Sequence, residues 1–156
     1  MSSIRPARLP EDEPAILGFI RALQEHEASF EANRRLDPGF AADHWRVMRE
    51  RAKDGVILIA EQDARPVGWA LAHDDPGEMF MIASQRRHGF LAEIYVEPAL
   101  RGRGYGRALI TACEDWARTK GHSVMMIGVL AKNDRAIRAY EEAGYAPYNL
   151  ILRRYL

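Results

Sequence analysis

Residues 90–110, FLAEIYVEPALRGRGYGRALI, constrain the fold more than any other stretch of the chain. An apolar, strand-like run stops at Glu97-Pro98. Gly102, Gly104 and Gly106 then fall within five positions, directly before a helical pattern. A buried strand feeding a helix through a short turn calls for layered α/β structure. Glycine loses more conformational freedom on folding than any other residue, so this clustering needs a reason. At a helix start, glycines let successive backbone N–H groups turn toward one point, where the helix dipole also favours an anion. Arg101 and Arg103 add charge at the rim. Phosphate or pyrophosphate is the ligand chemistry this arrangement serves, and a loose arginine-rich turn is the alternative.

The usual nucleotide patterns fit badly. No Gly-Lys-Ser/Thr follows the loop, as a triphosphate-binding loop requires, and the glycine order is GxGxG instead of the dinucleotide GxGxxG. The next strand, ending near Leu130, is followed by Ala131-Lys132 and not by a ribose-binding acid.

The rest of the chain reads as alternating strands and helices in one domain spanning 1–156. IRPARL (4–9) is a short strand, at an edge because Pro6 donates no ladder bond. Helices are expected from Pro14 to about residue 26 and from about 39 to 53. VILIA (56–60) and VGWALA (67–72) are strands joined by a turn in EQDARP. Residues 78–89 divide between a possible strand extension, MFMIA, and a loop, SQRRHG. FLAEIYV (90–96) is the clearest strand. A helix over 104–119 follows, carrying Tyr105, Leu109, Ala112 and Trp116 on one side. HSVMMIGVL (122–130) is a buried strand, 134–143 a short helix ended by Gly144, and the tail YAPYNLILRRYL a last strand.

Two separated segments then resemble one family, the GNAT superfamily of acetyl-CoA-dependent N-acetyltransferases. Arg101-Gly102-Arg103-Gly104-Tyr105-Gly106 matches its Arg/Gln-x-x-Gly-x-Gly/Ala signature. Asn133 through Ala136, Tyr140 and Gly144-Tyr145 match its Asn…Ala…Tyr…Gly-Phe/Tyr region. The resemblance implies a mixed, mostly antiparallel sheet flanked by helices, with a splayed parallel pair of central strands at about 90–97 and 122–130. It places the pantetheine arm of acetyl-CoA between those strands, against Ile94, Tyr95 and Val96. It places the pyrophosphate over the N–H groups of residues 101–106, with Arg107, Asn133, Ala136 and Tyr140 completing the cosubstrate site. A backbone N–H near Val96 is expected to polarise the thioester carbonyl.

Transfer of an acetyl group from a thioester to an amine requires a neutral amine, a donor for the developing oxyanion and a proton for the departing thiolate. Tyr140 is the family-matched acid, with plain aromatic packing as its alternative. Asn133 either contacts pantetheine or caps the helix that follows it, and the two roles are compatible. Glu93 is the candidate base. Strict alternation in FLAEIYV sets Leu91, Glu93 and Tyr95 on one face and Ala92, Ile94 and Val96 on the other, and a carboxylate in an apolar strand is costly unless paired or used. A salt-bridged Glu93 and a substrate-ammonium anchor remain open. Cys113 is not required for direct transfer and reads as core.

Glu25, His26 and Glu27 end the first predicted helix, where family members often build the acceptor site; with Glu93 and Tyr95 they would favour a cationic amine. Arg86, Arg87 and His88 would instead select a carboxylate. FLAEIYV is also similar to the polyamine and diamine branch of the family. The leading expectation is acetylation of a small primary amine, such as a polyamine, diamine or amino-acid-like metabolite. A protein or peptide acceptor and a non-catalytic acyl-CoA-binding module are the alternatives. Composition narrows the remaining classes: Lys plus Arg number 22 and Asp plus Glu 22, which argues against a dedicated nucleic-acid binder. One cysteine, no signal core and no membrane-length apolar run fit a cytoplasmic protein. No His/Asp/Glu spacing suggests a metal. The resemblance allows a homodimer.

Overall fold

The EQDARP turn closes through Asp63 and Ala64, both at positive φ (51° and 63°), in a computed structural model that describes residues 2–156. Two positive φ values in a two-residue connection match the right-handed twist of the strands they join. Those strands are β2 (Val56–Gln62) and β3 (Arg65–Asp75), paired antiparallel. On the outer side of β2 lies β1 (Ser2–Pro6), also antiparallel and at the sheet edge, where Pro6 is tolerated. On the other side β3 pairs antiparallel with β4 (His88–Val96), and β4 pairs parallel with the short β5 (Met125–Ile127). The strand order is therefore β1-β2-β3-β4-β5.

Period-two burial divides the protein into two cores, one on each face of the sheet. On one face lie α1 (Glu13–Ala28) and α2 (Phe40–Arg51). Ile16, Ile20, Trp45 and Met48 of these helices pack on Ile59, Trp69, Leu71 and Tyr95 of the strands. On the opposite face α4 (Tyr105–Thr119) sets Leu109, Ile110 and Cys113 against Leu58, Val67, Ala70, Leu91 and Val96. A four-residue helix, α3 (Ala83–Arg86), interrupts the β3–β4 connection, and α5 (Asp134–Glu142) follows β5 in the chain. Asp12 ties β1 to the start of α1: it accepts bonds from the Arg5 guanidinium (2.6 and 2.9 Å) and from the Arg8 N–H (2.6 Å).

Four sequence expectations need correction. Leu91 does not share a face with Glu93. Leu71 pairs with Glu93 and Ala72 with Leu91, so Ala92 is an extra residue in β4. This bulge moves Leu91 to the α4 core and Ala92 to the α1–α2 core. The strand expected over 122–130 is confined to Met125–Ile127, because the chain turns away from β4 beyond that point. The tail forms no strand: residues 146–156 have no ladder partner among the described residues. Finally, 78–89 is neither strand extension nor plain loop, since β3 runs on to Asp75, α3 follows, and Asp75 pairs with His88 at the start of β4. Among the described residues, no helix is long and apolar enough to cross a membrane.

The Arg5 hydrogen bonds hold the Asp12 carboxyl below its ordinary range, outweighing the opposing effect of burial. A carboxylate whose pKa is depressed in the folded state contributes stability above its unfolded pKa and loses it as pH falls through the folded value. Asp12→Asn is therefore expected to cost about 2–4 kcal/mol at pH 7. Urea melts across a pH series should show that deficit shrinking below the usual aspartate range. A deficit unchanged at acid pH would assign the loss to geometry instead of charge.

Candidate active site

β4 and β5 pair only at Gly89–Met125, Phe90–Met126 and Leu91–Ile127. They part where the Ala92 bulge bends β4, and beyond Leu91 the β5-facing edge of β4 has no strand partner. The opening is a cleft of about 430 Å³. Ala92, Ile94, Tyr95 and Val96 form one wall, and Ile127 through Leu130 form the other. The glycine loop, the first turn of α4 and α5 close its ends.

Gly104 is the N-cap of α4 and is left-handed (φ 90°), as is Gly102 (φ 75°). Side chains rarely adopt this conformation. The N–H groups of residues 102–107 donate to no carbonyl or side chain among the described residues. A Cβ built on Gly102, Gly104 or Gly106 would meet nothing within 4 Å. The glycines are thus not needed for packing within the protein; they leave open space above a row of unpaired donors. This is the local chemistry of an oxyanion or phosphate cradle, and it fits a pyrophosphate-bearing cosubstrate.

The arginines and Tyr105 divide differently from the sequence expectation. Arg101 lines the cleft, but its Nε donates to the Val96 carbonyl (2.9 Å) and its guanidinium lies 5.5 Å from the Tyr95 ring centroid. It fastens the loop to the end of β4. Arg103 is exposed and lies outside the cleft lining, whereas the Tyr105 ring is buried in the α4 core. Arg107 reaches across the cleft to the Glu142 carbonyl (2.7 Å), joining the start of α4 to the end of α5.

The α5 wall carries Asn133, Ala136 and Tyr140. Asn133 Oδ1 accepts the Ala136 N–H (3.2 Å), so the cap is formed while the residue also borders the cleft. Tyr140 lies edge-on to Tyr145, with ring centroids 6.5 Å apart. Burial, aided by the nearby Glu27 charge, pushes its phenol up to about 12. The hydroxyl therefore keeps its proton at neutral pH. Cys113 is fully buried in the α4 core and its thiol is likewise pushed up to about 12 by burial. That is the state of a packing residue and not of a nucleophile.

Glu93 does not line the cleft, although Ala92 and Ile94 on either side of it do. Its buried carboxylate sits 2.5 Å from His44 Nε2 on α2, and the His44 ring stacks on Phe40 (5.3 Å). His44 had no signal of its own in the sequence. The only hint was that a carboxylate buried in an apolar strand needs a partner.

Of the residues at the end of α1, His26 and Glu27 line the cleft, and the exposed Glu25 does not. Glu27 pairs with Arg34 (3.0 Å), while His26 packs edge-on to Phe30 (5.1 Å). Tyr95 packs on Phe19 (5.6 Å), and burial raises its phenol pKa. Arg86, Arg87 and His88 stay away from the cleft. Arg86 donates to the Met81 carbonyl, Arg87 pairs with Asp74, and buried His88 contacts the Arg86 carbonyl. Among the described residues no group of three or more His, Cys, Asp or Glu side chains is placed to hold a metal ion.

Residues 19–145 match the acetyltransferase (GNAT) family. The chain is 38% identical over 89 residues to the L-methionine sulfoximine/L-methionine sulfone acetyltransferase of Salmonella typhimurium, covering 57% of this chain and 49% of that protein. It is 37% identical over 98 residues to the mycothiol acetyltransferase of Acidothermus cellulolyticus, covering 59% and 30% respectively. The solved structure of a tetramutant of the BH1408 protein from Bacillus halodurans superposes with a TM-score of 0.83 at 15% identity, over 99% of both chains. The chain spans between 28% and 59% of the lengths of the first curated relatives it matches. The unpaired donors of the glycine loop, the parted parallel strands and a match over most of the sequence agree: this chain belongs to the GNAT acetyltransferase family.

Proposed function

We propose that this protein transfers an acetyl group from acetyl-CoA to a primary amine of a small molecule, by direct attack with both substrates bound. Family membership implies acetyl-CoA as the cosubstrate. The observation that carries the reading is the cleft itself: a row of unpaired loop N–H groups at one end and protonated Tyr140 on its wall. The N–H groups of 102–107 take the pyrophosphate, and the unpaired edge of β4 from Ala92 to Val96 takes the amides of the pantetheine arm. The acyl group then lies near Tyr95 and Val96.

The acceptor enters from the α1–α2 side, past His26 and Glu27. Its neutral nitrogen attacks the thioester carbonyl carbon, the C–N bond forms and the C–S bond breaks. Tyr140 gives its hydroxyl proton to the leaving sulfur. The amine's surplus proton passes, through water, to the Glu93 carboxylate, which His44 holds in place. A small acceptor is favoured by the cleft volume, which lies within the range of metabolite sites and must also admit the pantetheine arm. The two relatives above are named for acetylating small molecules as well. Polyamines, diamines and amino-acid-like amines are the classes to test, because the Glu27 carboxylate lines the cleft and Glu93, paired with His44, adjoins cleft-lining Ala92 and Ile94. Thiol release from acetyl-CoA across such a panel, with peptides included, tests the assignment directly. Turnover only with peptides would overturn the small-molecule reading.

Three variants separate the parts of the site. Gly104→Val forces a β-branched residue into left-handed backbone and sets its side chain over the donors. Calorimetry should show coenzyme A affinity falling by about tenfold or more in folded protein. Unchanged affinity would remove the loop from the cosubstrate site.

Tyr140→Phe keeps the ring and deletes the proton donor, so kcat should drop by about 10²–10⁴ with little change in coenzyme A affinity. Wild-type activity should also show no loss from Tyr140 ionisation until pH approaches 12. Near-normal turnover in a mutant limited by chemistry would return Tyr140 to packing.

Glu93→Gln distinguishes the roles of that carboxylate. Loss of a base lowers kcat most at neutral pH and is partly rescued at high pH, where the amine is already neutral. Loss of an ammonium anchor raises the acceptor KM with kcat nearly intact. Lower thermal stability with unchanged pH profiles would leave Glu93 a structural partner of His44.

A further inference from the structure

The acceptor side of the cleft is less anionic than its glutamates suggest. Glu27, Glu31 and Glu93 each already meet a basic side chain. Glu93 pairs with His44 (2.5 Å). Glu31, just past α1, pairs with Arg153 (2.7 Å) and Lys132 (3.5 Å). Glu27, the one of the three that lines the cleft, accepts from the Arg34 Nε (3.0 Å). A doubly or triply charged amine gains little net attraction from anions that carry their own counter-charges.

Arg34 stands out among these partners because it is held in place and only partly used. It comes from the connection between α1 and α2, which is fastened back onto α1. Gln24 donates to the Arg35 carbonyl (3.0 Å), and the Phe30 and Glu31 N–H groups donate to the Glu27 carbonyl (2.9 and 3.0 Å). The Arg34 side chain is 23% exposed. Its Nε serves Glu27 Oε2 and its Nη1 serves Asn33 Oδ1 (2.8 Å), while Nη2 donates to nothing among the described residues. Glu27 mirrors it: Oε2 is taken, and Oε1 accepts no protein donor among the described residues. One ion pair thus presents an open donor and an open acceptor side by side.

Granted the acetyl-transfer reading above, on which this rests, we propose that the Glu27–Arg34 pair holds the acceptor and that the acceptor is a zwitterionic α-amino acid. Its carboxylate lies on Arg34 Nη2 and its amino group beside Glu27 Oε1. A guanidinium suits a carboxylate because its donors are fixed in one plane. An α-amino acid carries opposite charges one carbon apart, so each finds its complement without displacing either member of the pair. A polyamine must instead draw Glu27 away from Arg34, setting cation against cation. Glu27 also puts the amino group where transfer occurs: it lines the same cleft as Tyr140, and its charge acts on the Tyr140 phenol. Arg101 and Arg107 are committed to the Val96 and Glu142 carbonyls. Arg135, exposed near the start of α5 and lining the cleft, is the rival cation for the carboxylate.

Calorimetry on protein saturated with coenzyme A, which has no acyl group to transfer, reads this binding without the chemistry. The titrants are the twenty amino acids, their carboxamides, putrescine and spermidine. At least one free amino acid is expected to bind about 10–100-fold more tightly than its carboxamide, the range for a hydrogen bond between charged groups. Arg34→Gln should abolish that preference and, by freeing Glu27, strengthen binding of the carboxamides and of putrescine. Equal weakening of every titrant in Arg34→Gln would make Arg34 a structural brace and overturn the proposal. So would loss of the preference in Arg135→Gln but not in Arg34→Gln. In the wild type, equal affinity for acid and carboxamide, tighter binding of putrescine or spermidine, or no binding of any amino acid overturns it without recourse to a variant. Thiol release from acetyl-CoA with the same titrants separates the two readings. Amino-acid binding without turnover sinks the transferase and keeps the ion-pair site, whereas turnover of putrescine or carboxamides alone does the reverse.

Discussion

A parallel strand pair that is allowed to separate governs the rest of this molecule. Backbone N–H and C=O groups away from water need partners, and the ladder between β4 and β5 supplies them only as far as Leu91 and Ile127. Past that point the edge of β4 must find another partner or remain wet. The cleft is the consequence, and the bulge at Ala92 is its mechanical cause, since one extra residue bends β4 away while its pairing with β3 continues to Val96. The glycine loop extends the same theme into the first turn of α4, where helix geometry leaves N–H groups without intrahelical acceptors.

Much of the fold was legible because its signals were local. The hairpin between β2 and β3, the amphipathic faces of α1 and α4, and the glycine signature each reside in one short contiguous stretch. The bulge was not legible: a two-residue period in FLAEIYV carries no mark of the residue that will be left unpaired, and the register of β3 decides it. β5 was overestimated for a related reason. An apolar run reports burial, and Gly128–Leu130 line the cleft wall without belonging to a ladder.

Side-chain roles were less legible than backbone ones. The loop N–H groups follow from glycine positions, but nothing in the sequence shows that Arg101, which lines the cleft, also braces the Val96 carbonyl. Tyr105 offers its N–H to the loop while its ring packs in the core. Both outcomes come from long-range geometry, because which way a side chain leaves a loop depends on the surfaces that receive it. The His44–Glu93 pair is the clearest case, joining residues 49 positions apart on different elements. A buried carboxylate announces that it has a partner without naming it.

The sheet also separates two kinds of sequence freedom. The face carrying α4 holds up the glycine loop, while the face carrying α1 and α2 presents His26, Glu27 and His44. Side chains on the two faces meet different cores, so substitutions in α1 and α2 can reshape the entrance with little strain on the loop that faces the common cosubstrate. Sites whose contacts are not shared tend to change stability independently. A chain built this way can exchange one acceptor for another by altering one layer, and its descendants would diverge fastest in the helices that precede β2.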